Sequence, residues 1–206
     1  MDRVRPVKGG GAERRGISMD IQEFDIPGVK LLTPQRFADD RGFFSETYNQ
    51  KTYAAAGIPD VFVQDNHSLS REAGTVRGLH YQAPPFAQGK LVRVSRGRVL
   101  DVVVDVRRGS PAFGRHVSAM LTAAAGEQLW FPAGFLHGFV TLEPDTEVIY
   151  KVTNFYNRSS DGNVRWNDPD LGIDWGVGSA QARLSDKDAA AAAFADFDSP
   201  FEFVEG

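Results

Sequence analysis

The chain has 206 residues, 42% of them hydrophobic and 24% charged, with a formal net charge of −4. These are ordinary globular values. The negative balance gives no bulk attraction to nucleic acid or an anionic membrane, although a local basic pocket could still bind one phosphate-bearing ligand. Cysteine is absent, which excludes a disulfide framework, a thiol nucleophile and iron–sulfur or zinc-ribbon sites, and agrees with the cytoplasmic location that we expect.

The first eighteen residues differ in character from the rest of the chain. They hold five basic and two acidic side chains and a glycine tract, without the apolar run of a signal peptide. We predict that residues 1–18 form a flexible leader, that Met19 is the natural start, and that residues 19–206 form a single domain. No later segment has the length of apolar residues needed to span a bilayer.

Short apolar-alternating segments broken by Gly, Pro, Asn and Asp are typical of a many-stranded sandwich or barrel. We therefore predict an all-β fold with a few short peripheral helices. The predicted elements are a helix at 49–57, strands at 61–69, 90–97, 98–106, 116–123, 127–134, 137–142 and 146–156, and a second helix at 185–194. In the last strand, Val148, Tyr150 and Val152 share one face, so Tyr150 is either a core tyrosine or a residue of an interior site.

Two stretches match cupin motifs. Residues 126–137 fit the second motif, G-x5-P-x-G-x2-H, ending at His137, and residues 74–80 begin the first motif, G-x5-H, ending at His80. The first motif then departs from the pattern, because Gln82 replaces its second histidine and Lys90 replaces its glutamate. An ammonium repels a divalent metal. We therefore expect no metal site, which argues against a metal-dependent cupin oxygenase.

A lysine in that position has a chemical use. It can polarise a ketone, or stabilise the oxyanion formed when a proton leaves the adjacent carbon. The alternatives remain open at this level: Lys90 could reach solvent from a strand end, and His80 could be a hydrogen-bonded core histidine. Arg77, three residues before His80, would suit a phosphate.

Nine blocks in a fixed order carry a resemblance to one family. They are DDRGFFSETYN, FVQDNHS, RGLHYQ, QGKLVRV, DVVVDVRRGSPAFG, LWFPAGFLHGF, YKVTNFYN, WNDPDLGIDW and LSDKDAA. From about Asp20 to Phe197 the chain resembles dTDP-4-dehydrorhamnose 3,5-epimerase and related deoxysugar epimerases of the cupin superfamily. The resemblance implies a cupin-like jelly roll, a homodimer, no metal or organic cofactor, and a dTDP-linked 4-keto-6-deoxyhexose as substrate.

The resemblance also implies catalytic roles. His80 matches the general base, Lys90 the enolate stabiliser, Tyr150 the general acid, and Asp188 the carboxylate that orients His80. Without the resemblance, Ser185 and Asp188 favour a helix capping box, and we expect that one carboxylate does not easily serve both purposes.

Further positions match the family's substrate-binding residues. They are Arg41, Glu46, Gln64, Asn66, Arg77, His137 and Tyr156. The resemblance implies that the region around Arg41 reaches a neighbouring subunit's site. From the residues alone, Glu46 could be a surface strand residue, and Gln64 and Asn66 could serve merely to satisfy the hydrogen bonds of a turn.

The reaction implied is epimerisation at C3 and C5 of dTDP-4-dehydro-6-deoxy-D-glucose to dTDP-4-dehydro-L-rhamnose. Protons would leave and return beside the C4 ketone. Two alternatives stay open: a mono-functional 3- or 5-epimerase of secondary-metabolite glycosylation, and a non-catalytic sugar-binding cupin.

Overall fold

The computed structural model describes residues 19–204; the predicted leader, residues 1–18, lies outside them. The described strands are β1 (Met19–Glu23), β2 (Lys30–Pro34), β3 (Phe37–Asp39), β4 (Gly42–Phe44), β5 (Gln64–Ser70), β6 (Val76–Gln82), β7 (Lys90–Arg96), β8 (Arg98–Asp105), β9 (His116–Thr122), β10 (Gln128–Phe131), β11 (Phe135–Thr141), β12 (Thr146–Val152) and β13 (Asp161–Asn163). The helices are α1 (Gln50–Ala55), α2 (Asp186–Ala189) and a 3₁₀ turn at Phe194–Asp196. No helix in this part of the chain is long and apolar enough to cross a membrane.

The strands form two antiparallel sheets that face each other as a jelly roll. The six-stranded sheet has the order β1-β2-β10-β7-β12-β5, and the five-stranded sheet has the order β13-β6-β11-β8-β9. A separate hairpin, β3–β4, carries the exposed rings of Phe43 and Phe44. The predicted all-β jelly roll is therefore confirmed.

The space between the two sheets is filled by alternate residues of their strands. Val92 and Val94 of β7 contribute from one sheet, and Val99 and Val103 of β8 from the other, all within one buried cluster. Because side chains alternate along a strand, Lys90 lies on the inward face of β7. Asp101 lies on the inward face of β8 for the same reason.

Two further apolar clusters cover the outer faces of the sheets. The outer face of the five-stranded sheet packs against the C-terminal segment, which includes Trp166 and Trp175. The outer face of the six-stranded sheet packs against Tyr53 of α1. Both sheets therefore bury apolar side chains on their outer faces as well as on their inner faces.

The first predicted helix is confirmed, and the second is mostly wrong. Asn49 caps α1 by accepting a hydrogen bond from the backbone N–H of Lys51, 3.0 Å away. The helix after Ser185 ends at Ala189, although alanines continue to residue 193. There the backbone of Arg165 donates to the carbonyl of Ala192 at 2.8 Å, and Ala191 is buried, so tertiary pairing overrides the helical propensity of alanine.

Gly78 allows β6 to approach β11 closely. Its φ is +132°, and a Cβ there would lie 2.5 Å from the Cα of Gly138. A side chain at this position would push apart the two strands that carry His80 and His137.

We expect Gly78→Ala to lower the free energy of unfolding by about 3 kcal/mol or more, because a strained φ and a backbone clash add together. The matched control is Gly109→Ala, whose φ is also positive but whose Cβ would have no atom within 4 Å; it should cost only about 1 kcal/mol. Urea unfolding of both variants measures the difference, and equal losses would contradict the close-approach argument.

Candidate active site

A cavity of about 250 Å³ opens between the two sheets. The residues that line it are Gln64, Asn66, His80, Tyr81, Gln82, Gln88, Lys90, Tyr150, Tyr156, Asp161 and Lys187. The volume is somewhat below the range of about 300–1,000 Å³ that is usual for small-molecule sites. A ligand larger than a single six-membered ring would therefore extend beyond the enclosed part.

One wall of the cavity belongs to the six-stranded sheet. Tyr150 of β12 lies opposite Asn66 of β5 on one side and Val92 of β7 on the other. As predicted, it shares its face with Val148, which belongs to the central core. The ammonium of Lys90 lies 5.9 Å from the centre of the Tyr150 ring.

The opposite wall carries His80 on β6. Its Nε2 lies 2.5 Å from Oδ1 of Asp188, which is buried at the start of α2. The Ser185 hydroxyl donates to the other carboxylate oxygen, Oδ2, at 2.9 Å and accepts a hydrogen bond from the backbone N–H of Asp188 at 3.2 Å. The expected conflict between capping and orienting His80 was wrong, because the carboxylate uses one oxygen for Ser185 and the other for His80.

Burial and local charges set the protonation states around the cavity. Desolvation lowers the pKa of Lys90 to about 8, against the opposing effects of Asp161 and Asp101. Burial raises the pKa of Tyr150, partly offset by Arg77. Burial also acts to raise the pKa of Asp188, but the hydrogen bonds from His80 and Ser185 outweigh it and the net shift is downward. At neutral pH the cavity thus holds an ammonium, a neutral phenol and a carboxylate.

His137 is the strand partner of His80 but is not part of the cavity lining, and its ring packs against Phe131 in the central core. Its Nε2 lies 3.0 Å from both carboxylate oxygens of Asp101, which is fully buried. Burial lowers the pKa of His137, against the charge of Asp101 and its hydrogen bond, so the imidazole is neutral at neutral pH and donates to the carboxylate. Asp101 is not among the site residues predicted from the sequence.

The other predicted binding residues are divided between the cavity and the surface. Gln64, Asn66 and Tyr156 line the cavity. Arg77 lies outside the lining, where its guanidinium donates to the Ser70 hydroxyl at 3.2 Å. Its positive charge acts to lower the pKa of Tyr150, against the larger effect of burial.

Arg41 and Glu46 do not line this cavity. The Arg41 side chain is 90% exposed at the tip of the β3–β4 hairpin and is paired with Asp39. Glu46 accepts a hydrogen bond from Asn49 at 3.2 Å. Their roles as binding residues stay predictions.

Asp161 and Lys187, which were not predicted from the sequence, close one side of the cavity. Oδ2 of Asp161 accepts hydrogen bonds from the Lys187 ammonium at 2.6 Å and from the Tyr156 hydroxyl at 3.3 Å. Lys187 directly precedes Asp188, which is the only sequence signal for it. Asp161 is brought to the site by the pairing of β13 with β6, which no local pattern indicates.

Gln82 has a structural use at the position where a metal-binding cupin has its second histidine. Its side-chain amide donates to the carbonyls of Phe86 and Phe155, and its side-chain oxygen accepts from the backbone N–H of Asn157 at 2.8 Å. Across residues 19–204, no group of three or more His, Cys, Asp or Glu side chains is arranged to hold a metal ion.

The fold and the site define a cupin-type jelly roll in which a His–Asp pair faces a lysine and a tyrosine across the interior. Residues 23–196 match the model of the family described as dTDP-4-dehydrorhamnose 3,5-epimerase. The chain therefore belongs to the dTDP-4-dehydrorhamnose 3,5-epimerase family.

Individual relatives agree with this assignment. The chain is 52% identical over 181 residues to the dTDP-4-dehydrorhamnose 3,5-epimerase of Pseudomonas aeruginosa, covering 87% of this chain and 98% of that protein. It resembles the crystal structure of dTDP-6-deoxy-D-glucose-3,5-epimerase from Legionella pneumophila in complex with dTDP-4-keto-L-rhamnose, with 42% identity, a TM-score of 0.86, and coverage of 91% of this chain and 100% of that one. A 3'-monoepimerase from Streptomyces bikiniensis in complex with dTDP-quinovose is 33% identical, with a TM-score of 0.78 and coverage of 84% of this chain and 86% of that one.

Proposed function

We propose that the protein epimerises dTDP-4-dehydro-6-deoxy-D-glucose at C3 and C5 to give dTDP-4-dehydro-L-rhamnose, in the synthesis of a dTDP-linked deoxysugar. The observation that carries the proposal is the placement of His80 and Tyr150 on opposite sheets across one cavity. Inversion at carbon needs proton removal from one face and return from the other, and groups on opposite rigid walls meet that need.

His80 is the base in this proposal. The hydrogen bond between its Nε2 and Asp188 fixes the tautomer, so Nδ1 is the nitrogen that takes the proton from C3 or C5. The carboxylate also stabilises the imidazolium that forms, as in other His–Asp pairs.

Lys90 supplies the positive charge for the enolate. When the proton leaves carbon, negative charge develops on the C4 oxygen, and a fixed ammonium on the cavity wall stabilises that charge. Tyr150, kept protonated by its raised pKa, then gives its proton to the carbon from the other face.

The nucleotide portion of the substrate would extend past Tyr156, a cavity-lining residue that is 57% exposed. An exposed aromatic face there suits stacking on a base. Arg77 provides the nearby guanidinium that a diphosphate requires.

We further propose that the protein works as a cytoplasmic homodimer, without a metal or organic cofactor. Support for the dimer comes from the β3–β4 hairpin, where Phe43 and Phe44 are 60% and 66% exposed beside Arg41. Paired exposed phenylalanines favour a protein contact. Light scattering of the purified protein, compared with a Phe43→Ser, Phe44→Ser variant, tests it: a monomer in both would contradict the dimer.

The experiment that tests the reaction is incubation with dTDP-4-keto-6-deoxyglucose in deuterated water, followed by NMR at C3 and C5. Deuterium and inversion at both carbons would support the double epimerase. Inversion at one carbon would instead indicate a mono-epimerase. No incorporation, with binding confirmed, would leave a sugar-binding cupin.

We expect Tyr150→Phe to lower net inversion by about 10²-fold or more while deuterium wash-in declines less, because the base and the ammonium remain. Tyr48→Phe is the control, since Tyr48 packs against Phe62 in the apolar cluster on the outer face of the six-stranded sheet. This variant should show wild-type inversion and wild-type deuterium wash-in. Equal loss of wash-in and inversion in Tyr150→Phe would mean that Tyr150 also assists proton removal.

A further inference from the structure

The fully buried carboxylate of Asp101 has no part in the reaction as derived above. It lies on the inward face of β8 with Val99 and Val103, and the His137 imidazole is its hydrogen-bond partner. Burying a charge is costly, and an apolar pair of similar volume often stabilises a core as well or better. Fold stability alone therefore gives no reason for a carboxylate at this position.

The partner of Asp101 does not neutralise it. His137 is neutral at neutral pH, since burial lowers its pKa, so it donates a hydrogen bond without contributing a positive charge. The space between the two sheets therefore holds the Asp101 carboxylate beside a hydrogen-bond partner that carries no positive charge. The Lys90 ammonium on the facing sheet is a positive charge that interacts with that carboxylate.

Lys90 needs a negative charge nearby if its amine is to stay protonated. Its burial favours the neutral amine, and a neutral amine would not stabilise an enolate. Charged and titratable groups act on Lys90, or on its neighbour His137, from every side of the cavity: Asp161 on β13, Asp101 on β8, His137 on β11, His80 on β6, Tyr150 on β12 and Lys187 on α2.

Of the two carboxylates that act on Lys90, Asp161 is already bonded to Lys187 and Tyr156. Within residues 19–204, the Asp101 carboxylate pairs with the neutral His137 imidazole alone, and it has no contact with solvent. Its field is therefore little screened by salt or water.

We propose that Asp101 is a positioning residue of this site: its buried carboxylate holds the His137 imidazole in one orientation and keeps the Lys90 ammonium charged while the substrate ketone becomes an enolate. The inference rests on the proposed epimerase function. Asp101 then affects catalysis entirely through His137 and Lys90.

The test is the pH dependence of kcat in wild type and Asp101→Asn, which keeps the shape and the hydrogen-bond acceptor but removes the charge. Lys90 must be protonated to act, and its pKa is about 8, so wild-type activity should fall as the pH rises through that value. Without the negative charge the pKa of Lys90 drops further. The alkaline limb of the pH profile, which is the fall of kcat at high pH, should therefore move to lower pH by roughly one unit. Activity near pH 8 then falls about fivefold, while activity near pH 6 changes little.

The matched control is Asp105→Asn, because Asp105 is equally buried on the same strand but is bonded to Arg107 and Ser110. It should lower the thermal stability and leave the alkaline limb unmoved. Should Asp101→Asn fail to fold, the double variant Asp101→Leu, His137→Met replaces the pair with apolar residues that such sites commonly accept, and it should show the same limb shift.

The outcomes separate the two proposals. An active wild type with an unmoved limb in the Asp101 variants would overturn the role of Asp101 and leave the epimerase intact. A wild type that exchanges no protons with solvent would overturn the epimerase itself. A limb that moves equally in the Asp105 variant would show a structural effect only and would also overturn the inference.

Discussion

His80→Ala should lower deuterium wash-in at both C3 and C5 by about 10³-fold or more, while binding of dTDP changes little. The base is required for the first step of either inversion, and a positioned base contributes about 10²- to 10⁴-fold. His80 is anchored by Asp188 at 2.5 Å, so its removal leaves Oδ1 of that carboxylate without its hydrogen-bond partner while Oδ2 keeps Ser185. NMR in deuterated water measures exchange, and calorimetry with dTDP measures binding.

The control for this variant is His67→Ala. His67 lies on β5, and its ring is paired with Glu147 at 3.1 Å on the outer side of the same sheet, 55% exposed. Its removal should leave exchange at the wild-type rate. Exchange that survives in His80→Ala at either carbon would show that another group serves as the base there.

Lys90→Met should lower kcat by about 10²- to 10³-fold, the usual cost of removing one group that stabilises a developing oxyanion. Methionine is unbranched and one atom shorter, so it fills most of the same space without the charge. Lys151→Met is the matched control, because Lys151 is the strand neighbour of Tyr150 but points outward to Asp65 at 2.9 Å, and it should retain full activity. A Lys90→Met variant with near-normal kcat would remove the ammonium from the mechanism.

The same substitution should raise stability. Folding lowers the pKa of Lys90 from 10.5 to about 8, so below pH 8 the folded state holds a charge that the unfolded state accommodates better. That destabilisation is constant at low pH and is relieved as the pH rises from about 8 towards 10.5, because the folded state loses its proton first. Lys90→Met should therefore melt at a higher temperature than wild type at neutral pH, with the difference shrinking as the pH rises from about 8 to 10.5.

Much of the site could be predicted because its residues lie in recognisable blocks. The alternation along residues 146–152 placed Tyr150 inward with Val148, and the departure of Lys90 from the cupin motif indicated a positive charge inside the fold. Both features depend only on neighbours in sequence.

Asp101 could have been suspected from the sequence and was not. In RVLDVVVDV, aspartates 101 and 105 alternate with valines on what becomes the core face of β8, and a charged residue at a core position of a well-formed strand indicates a special role. Asp161 could not have been found in this way. It reaches the cavity only through the pairing of β13 with β6 and the contact with Lys187, which are long-range features of the folded chain.

In the proposed mechanism, the attachment of His80 and Tyr150 to two different sheets makes the distance between the sheets a determinant of stereochemistry. Facing sheets are held about 10 Å apart by the side chains between them, a gap that accommodates one pyranose ring with a group on either side. Core substitutions far from the substrate, at Val103 or Leu121 for example, would alter that gap. Such variants could therefore change the ratio of inverted product to simple proton exchange without touching a reacting group.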